Sequence, residues 1–269
     1  MAQPGDNRSQ SVFGTATGAD YRPDLGPEKG RYVNAYCKEN LMSGLHTGVP
    51  NKQVSIGAPV RKIVPGYGRF SLPGHAFSRK MQTHVPFESL LEADLIVLHE
   101  VNPDVISFGA QPETFRWSDH GKQRRYTPDF KVHLRCGASV FREVKMECWL
   151  RRNPTFNGRL ERIKAECRAR HAEFEIWTEH DVRREPRYGN ARLILRCSDG
   201  LDDMIALTST WEVLASAETM SLDEIISRTG LGDRAFAAAV SLVRLGYALI
   251  DWDAPLNLQT LLSPVGGAR

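Results

Sequence analysis

Residues 126–145 read YTPDFKVHLRCGASVFREVK, and the pattern of this segment indicates the fold class. Its two halves, 130–134 and 140–145, alternate in polarity or are rich in β-branched residues, which is typical of strands. Gly137 lies between them as a turn residue. The pattern predicts two antiparallel strands of one sheet, joined by a turn.

Three charged side chains mark these strands. Asp129 stands at the entrance of the first strand, and Glu143 follows fourteen residues later in the second. Because side chains alternate along a strand, Glu143 and Lys145 share one face and Val144 faces the core. Antiparallel pairing brings Asp129 toward Glu143. The sequence therefore predicts two carboxylates and a lysine in one patch.

Such a patch has a chemical use. Asp129 and Glu143 supply the hard oxygen ligands that Mg²⁺ or Mn²⁺ prefers, and such a metal polarises a scissile phosphate. Lys145 is expected to orient or deprotonate an attacking water and to stabilise the developing charge. The alternative is an ordinary strand with an incidental charge pair. The hairpin spacing, after a helix that carries Glu88 and Glu92, favours the catalytic interpretation.

The flanking segments indicate an α/β domain over residues 59–190. Apolar spacing predicts a helix from Val85 to Leu98, with Pro86 in its first turn, and a second helix from Arg159 to Arg170. Residues 1–58 are rich in Gly, Pro, Ser, Asn and Thr and are expected to be an irregular arm. Further strands of the same sheet are predicted at residues 105–108, 114–117 and 174–178.

Residues 191–269 have a different pattern. Capping and stop signals predict helices from Ser221 to Gly230 and from Asp233 to Gly246, followed by a strand over residues 247–252. This order predicts a winged-helix-like C-terminal domain. Its second helix is alanine-rich, and residues 217–269 carry 4 basic against 6 acidic side chains. That composition disfavours direct reading of DNA bases and favours docking onto a protein, unless the alanines pack in the core.

Charge is sorted along the 269-residue chain, whose net charge is only +3. Residues 116–170 hold 15 basic and 6 acidic residues, and they follow an acidic segment, 81–115, with a net charge of −6. A basic surface around a few carboxylates suits the binding of a polyanion near a divalent metal, although a solvated surface is the alternative. The predicted contacts to the DNA backbone are Arg124, Arg125, Arg151 and Arg152.

Composition excludes several protein classes. With 41% hydrophobic and 25% charged residues, the chain is not expected to be disordered. No apolar run approaches the roughly 18 residues of a membrane-spanning helix, and the first residues lack the pattern of a signal peptide. Five cysteines without a C-x-x-C pair argue against a disulfide framework and a structural zinc site. A cytoplasmic location is expected.

The order of these motifs resembles the PD-(D/E)xK nuclease superfamily and, more narrowly, TnsA, the endonuclease subunit of heteromeric cut-and-paste transposases. The narrower resemblance depends on FESLLE at residues 87–92, NPDVISF at residues 102–108 and the pair Gln111-Pro112, together with the YTPDF and EVK motifs. It covers about residues 60–185. It implies a restriction-endonuclease-like mixed sheet flanked by helices.

The resemblance also implies a Mg²⁺ site, in which Mn²⁺ can replace Mg²⁺. Glu92 is preferred to Glu88 as the helix carboxylate because it lies 19 residues before Gln111, the separation expected in the family. Glu88 stays open, and Gln111 is a possible additional site residue. The implied catalytic residues are Glu92, Asp129, Glu143 and Lys145, and the first three of them are the implied metal ligands.

The implied activity is cleavage of the 5′ ends of a transposon by phosphodiester hydrolysis. A TnsB-type transposase would cut the 3′ ends and join them to the target, and a TnsC-type AAA+ ATPase would contact the C-terminal domain. The first alternative is a standalone restriction or junction-cleaving nuclease, which would cut without partners. The second is a catalytically silent binding subunit, which would tolerate Asp129→Ala.

Overall fold

The computed structural model describes residues 56, 59–60, 72–198 and 203–265, so the arm predicted over residues 1–58 lies outside it except for Ile56. In this part of the chain the strands are β1 (Gly74–Ser78), β2 (Thr83–Phe87), β3 (Val105–Ala110), β4 (Phe115–Asp119), β5 (Lys122–Tyr126), β6 (Phe130–Leu134), β7 (Ser139–Val144), β8 (Ala172–Trp177), β9 (Met220–Ser221), β10 (Ala248–Leu249) and β11 (Leu261–Pro264). The helices are α1 (Leu90–Val101), α2 (Glu147–Arg152), α3 (Pro154–Asn157), α4 (Leu160–Arg168), α5 (Glu179–Val182), α6 (Arg187–Cys197), α7 (Met204–Ala215), α8 (Leu222–Thr229) and α9 (Asp233–Leu245).

A four-stranded mixed sheet forms the centre of the fold, in the order β3-β6-β7-β8. Strand β6 is antiparallel to β3 and to β7, whereas β7 and β8 run parallel. A parallel pair needs a crossover connection, and helices α2, α3 and α4 provide it. The prediction of an α/β fold is confirmed, and so is the antiparallel pairing of the two motif strands.

Apolar side chains cover both faces of this sheet. Consecutive residues of β7, Val140 and Phe141, belong to different buried clusters, because neighbouring side chains of a strand point to opposite faces. Leu95 of α1 lies in the cluster of Val140, and Ile163 of α4 lies in that of Phe141. The central sheet therefore packs between two helical layers, with the predicted catalytic motifs on or next to its strands.

The helix predicted from Val85 begins later in the structure. Residues 83–87 form β2, and Pro86 pairs with His75 of β1 in a two-stranded sheet instead of occupying a first helical turn. Helix α1 begins at Leu90, because the side chain of Ser89 accepts a hydrogen bond of 3.2 Å from the backbone N–H of Glu92 and caps the helix.

The strand predicted at residues 114–117 does not belong to the central sheet. It forms β4, which pairs with β5 in a separate two-stranded ribbon. The connecting residues, His120 and Gly121, both have positive φ, as in the two-residue turns that favour hairpins. The sequence pattern does not predict β5, because its residues KQRRY lack the apolar alternation of a strand.

The C-terminal segment contains α7, α8 and α9 with a small antiparallel sheet in the order β10-β11-β9. Helices α8 and α9 end at Gly230 and Gly246, as predicted, and both glycines have left-handed φ. The strand predicted over residues 247–252 is limited to β10. The chain turns at Asp251, whose carboxylate accepts a hydrogen bond from the N–H of Asp253.

The alanines of α9 are packed in the interior. Ala235, Ala238 and Ala239 are buried, so the alternative that they pack in the core is confirmed and the argument for docking from exposed alanines is wrong. The winged-helix assignment stays a prediction. So does a domain boundary at residue 190, a position that lies inside α6. Within the described residues no helix is long and apolar enough to span a membrane.

Candidate active site

Asp129 lies where β6 begins, and its neighbours on both sides fix its position. Its backbone carbonyl accepts a hydrogen bond of 2.8 Å from the N–H of Gln111, which extends the pairing of β3 with β6. Its carboxylate Oδ2 accepts a second bond of 2.8 Å from the N–H of Val144 on β7. A carboxylate held by a backbone donor of the neighbouring strand has little freedom to move.

Glu143 and Lys145 complete the patch that the sequence predicts. The Nζ of Lys145 lies 2.7 Å from Glu143 Oε1 and 3.2 Å from Asp129 Oδ2. The backbone N–H of Lys145 donates to the carbonyl of Trp177 at 3.1 Å, which extends the β7–β8 pairing and fixes the lysine at the end of the strand. The structure thus brings Asp129, Glu143 and Lys145 together as expected.

Glu92 lies on helix α1 and interacts electrostatically with Asp129 and Lys145. Its carboxylate accepts hydrogen bonds from the N–H of Glu88 at 2.8 Å and from the hydroxyl of Ser89 at 2.9 Å. Ser89 in turn caps the helix through the N–H of Glu92, so this pair forms a reciprocal capping interaction. Glu92 therefore has a structural role in addition to its electrostatic interaction with Asp129 and Lys145.

Burial and charge shift the pKa values of these side chains. Burial, followed by the negative charge of Asp129, raises the pKa of Glu92 and the pKa of Glu143 to about 7 each. Burial opposes the charged form of Lys145, but the carboxylates of Glu143 and Asp129 outweigh it and raise the pKa of the lysine well above its usual range. Lys145 is therefore a stable cation in this arrangement.

The carboxylates of Glu92, Asp129 and Glu143 together suit a divalent cation better than they suit a single lysine. The largely buried carboxylates of Asp129 and Glu143 pair with one ammonium group, and Glu92 interacts electrostatically with Asp129 and Lys145, so negative charge is in excess when all three carboxylates are ionised. Carboxylate oxygens are the ligands that Mg²⁺ and Mn²⁺ prefer. Among the described residues no group of three or more acidic, histidine or cysteine side chains is already arranged around a metal position. Lys145 lies between Asp129 and Glu143 instead.

Gln111 and Glu88 lie beside this cluster. Gln111 is buried, its φ of 46° lies in the left-handed region, and its Oε1 has no hydrogen-bond partner among the described residues. A buried acceptor without a donor costs free energy, as does left-handed backbone at a residue other than glycine. Both features are typical of functional positions. Glu88 is half-buried and precedes the helix cap, where its backbone N–H binds Glu92.

The four predicted DNA-contacting arginines fall into two groups. Arg124 lies 3.3 Å from Asp119 and Arg151 lies 2.7 Å from Glu147, so both already face a carboxylate. Arg125 and Arg152 are exposed. The structure therefore makes the second pair the more accessible to a phosphate.

Comparison with known families supports a nuclease. Residues 102–179 match the family model described as TnsA-like endonuclease N terminal. The resemblance predicted from the motifs is thereby confirmed for this segment. The TnsA-like segment contains Asp129, Glu143 and Lys145, whereas Glu92 precedes it by ten residues. A search of curated proteins gives no match to the chain.

Sequence reasoning missed Tyr126 as a site residue. Its hydroxyl donates a hydrogen bond of 2.6 Å to Glu143 Oε2, on the oxygen that Lys145 does not contact. Burial, followed by the charge of Glu143, raises the pKa of Tyr126 well above its ordinary value, so the phenol stays a donor. Tyr126 stands three residues before Asp129, inside the YTPDF motif of the TnsA-like segment, and this position is the sequence feature that could have identified it.

Proposed function

We propose that this chain is the metal-dependent DNA endonuclease subunit of a heteromeric cut-and-paste transposase, and that it cleaves the 5′ ends of the element. The observation that carries the proposal is the buried pair of carboxylates, Asp129 and Glu143, on Lys145, with Glu92 interacting electrostatically with Asp129 and Lys145. The TnsA-like match over residues 102–179 supports the same class of enzyme.

In this proposal Asp129, Glu143 and Glu92 hold Mg²⁺, for which Mn²⁺ can substitute. The metal supplies charge neutralisation at the scissile phosphate and lowers the pKa of a bound water. The backbone N–H of Val144 and the hydroxyl of Tyr126 orient the carboxylates of Asp129 and Glu143, each through one hydrogen bond. This support keeps the oxygens in position without taking part in the reaction.

Lys145 has the role of a fixed positive charge. Because its pKa is raised by two carboxylates, it is suited to orienting the nucleophile and to stabilising the charge of the pentacovalent phosphate, and it is poorly suited to removing a proton. Its Nζ lies between Asp129 and Glu143, so a metal shared by these two carboxylates requires the ammonium group to move outward. Of the two roles expected from sequence, the electrostatic one is therefore favoured.

The proposed partners follow from the resemblance to TnsA. A TnsB-type transposase would cut and join the 3′ ends, and a TnsC-type ATPase would contact the winged-helix-like C-terminal domain. The buried alanines of α9 offer no docking surface. A contact with the ATPase is instead supported at the small C-terminal sheet and its flanks. Three apolar side chains there are more than half exposed: Tyr247, Leu249 and Leu261.

The test is cleavage of plasmid DNA that carries candidate element ends, in Mg²⁺ or Mn²⁺, with and without a co-expressed integrase-type transposase. We expect 5′-end cuts that need the partner and that Asp129→Ala abolishes. Asp223→Ala, at an exposed aspartate of α8, is the matched control and should cut like the wild type.

The two alternatives give different results in this assay. Cutting by the isolated chain, at sites unrelated to the ends, would identify a standalone nuclease. Equal behaviour of the wild type and Asp129→Ala under every condition would identify a catalytically silent subunit. Loss of cutting in Asp223→Ala as well would mean that the assay reports folding and not catalysis.

A further inference from the structure

The ribbon of β4 and β5 has two chemically different faces. Phe115 and Trp117 point inward and are buried in the cluster that contains Phe141, and Tyr126 packs against the same cluster. The four residues on the opposite face of the ribbon are all exposed: Arg116, Ser118, Gln123 and Arg125. We call these four the outer face of the ribbon. Each of them carries at least one hydrogen-bond donor, and none is acidic.

Two arginines of the outer face lie directly opposite each other. Arg116 and Arg125 are cross-strand partners in the β4–β5 register. Like charges at directly opposed positions destabilise an antiparallel pair. In the described part of the chain neither arginine has a carboxylate within ion-pair distance, whereas Arg124 on the inner face binds Asp119. An anion bound by both guanidinium groups would supply the missing charge.

The ribbon is firmly attached to the candidate active site. Thr114 and Thr127, at its base, share a hydrogen bond of 2.7 Å between their hydroxyls. Tyr126, the neighbour of Arg125, donates its hydroxyl to Glu143. These two bonds fix the position of the ribbon relative to Glu143.

We propose that Arg116 and Arg125 together bind one backbone phosphate of the DNA that flanks the cleavage position. This inference rests on the proposed function, which supplies the DNA. Two guanidinium groups offer paired N–H donors to the oxygens of one phosphate, and the phosphate removes the repulsion between them. The contact is with the backbone, so it positions the duplex without reading its sequence. Sequence reasoning identified Arg125 but had no means of pairing it with Arg116.

The test measures binding of the full chain to a 30-base-pair duplex of arbitrary sequence, at several salt concentrations. We expect the double variant Arg116→Thr/Arg125→Thr to bind about tenfold more weakly near 0.1 M salt and to reduce the salt slope by about 1. Each single variant should lose nearly as much as the double variant, because both arginines hold the same phosphate. Lys122→Thr, on the same ribbon but on the other face, is the matched control and should change binding little.

A stability measurement separates binding from folding. Because the repulsion between the arginines is relieved, each single variant should raise the melting temperature of the free protein at low salt by about 1–2 °C. This gain should disappear at high salt, where the charges are screened. A fall in melting temperature on removing either arginine would mean that the pair is structural and would overturn the inference.

Other outcomes also decide the question. A double variant that binds like Lys122→Thr, or single variants whose losses add, would overturn the shared phosphate site. The proposed function is judged by a separate readout, namely whether cutting depends on Asp129. If the wild type cuts normally but the double variant has an unchanged salt slope, the proposed function stands and the phosphate site is wrong. If the variants bind DNA as expected but the wild type never cuts, the phosphate site stands and the proposed function is wrong.

Discussion

The hydroxyl of Tyr126 donates a hydrogen bond of 2.6 Å to Glu143, and this bond joins the ribbon to the central sheet at the candidate active site. Since the donor favours the ionised carboxylate, it lowers the pKa of Glu143 and partly offsets the effect of burial. The bond therefore affects both the position of the ribbon and the pH at which Glu143 ionises.

The variant Tyr126→Phe should weaken the site at low pH. Loss of the donor raises the pKa of Glu143, so the acidic limb of the pH–rate profile should move to higher pH by roughly one unit. Tyr188→Phe is the control, because Tyr188 also donates to a carboxylate, that of Asp94, which is not one of the candidate site residues. It should lower stability without moving the profile. Identical profiles for Tyr126→Phe and the wild type would contradict the role given to this hydroxyl.

The raised pKa of Glu143 predicts an unusual dependence of stability on pH. In the unfolded chain its pKa is near 4.5, and in the folded chain it is about 7. The folded state therefore binds the proton more tightly than the unfolded state does. The resulting stabilisation of the folded state is fully present below about pH 4.5 and is lost as the pH rises through about 7. At pH 8, Glu143→Gln should be more stable than the wild type by about 2–3 kcal/mol.

The measurement is thermal unfolding of both proteins between pH 4.5 and pH 8, without added metal. The gain from Glu143→Gln should shrink toward low pH, where the wild-type carboxyl is protonated. Added Mg²⁺ or Mn²⁺ should stabilise the wild type at pH 8 and the variant less, because the variant lacks one charged ligand. A variant less stable than the wild type at pH 8 would show that the carboxylate is not under strain.

Part of the site could be predicted from the sequence because it depends on local rules. Period-2 alternation in a hairpin places Glu143 and Lys145 on one face and brings Asp129 beside them, and the structure has that arrangement. The start of α1 could have been placed correctly as well, since Ser89 and Glu92 have the spacing of a capping box. Pro86 is compatible with a first helical turn, which is a common but not a unique position for proline, and this favours too early a start for the helix.

Other features depend on contacts that no local pattern encodes. Strand β5 is held by its pairing with β4, and its sequence KQRRY alone would suit a solvated loop. The bond from Tyr126 to Glu143 joins residues 17 positions apart whose distance depends on where the ribbon packs. The burial of Ala235 and Ala239 likewise depends on the elements around α9, not on the composition of that helix.

A buried ion pair connects helix α1 with the C-terminal helix α9. Arg244 binds the carboxylate of Glu100, and both side chains are nearly inaccessible. Glu100 also accepts hydrogen bonds from the hydroxyl of Ser78 and the N–H of Lys80. Since Arg244→Ala leaves this carboxylate buried without its cation, we expect it to lower the free energy of unfolding by about 3 kcal/mol.

Urea unfolding of Arg244→Ala and Arg228→Ala tests this expectation. Arg228 pairs with Glu224 on the exposed side of α8, where an ion pair contributes little, so its replacement should cost less than about 0.5 kcal/mol. Similar costs for the two variants would contradict the importance given to burial. A large loss in Arg244→Ala with two separate unfolding transitions would indicate that the pair couples the C-terminal helices to helix α1 and the central sheet.

Glu92 has both a capping role and a proposed ligand role, and a conservative substitution separates them. Glutamine is accepted at the third position of a capping box, so Glu92→Gln should retain the cap and change stability by less than about 0.5 kcal/mol. If Glu92 holds the metal, the same variant should reduce cleavage by about a hundredfold or more, since a charged ligand is lost. Ser89→Ala is the complementary control, because loss of its cap should cost about 1 kcal/mol of stability while the Glu92 carboxylate remains. Glu88→Gln completes the set. Full cleavage by Glu92→Gln, together with loss of cleavage by Glu88→Gln, would assign the ligand role to Glu88 instead of Glu92.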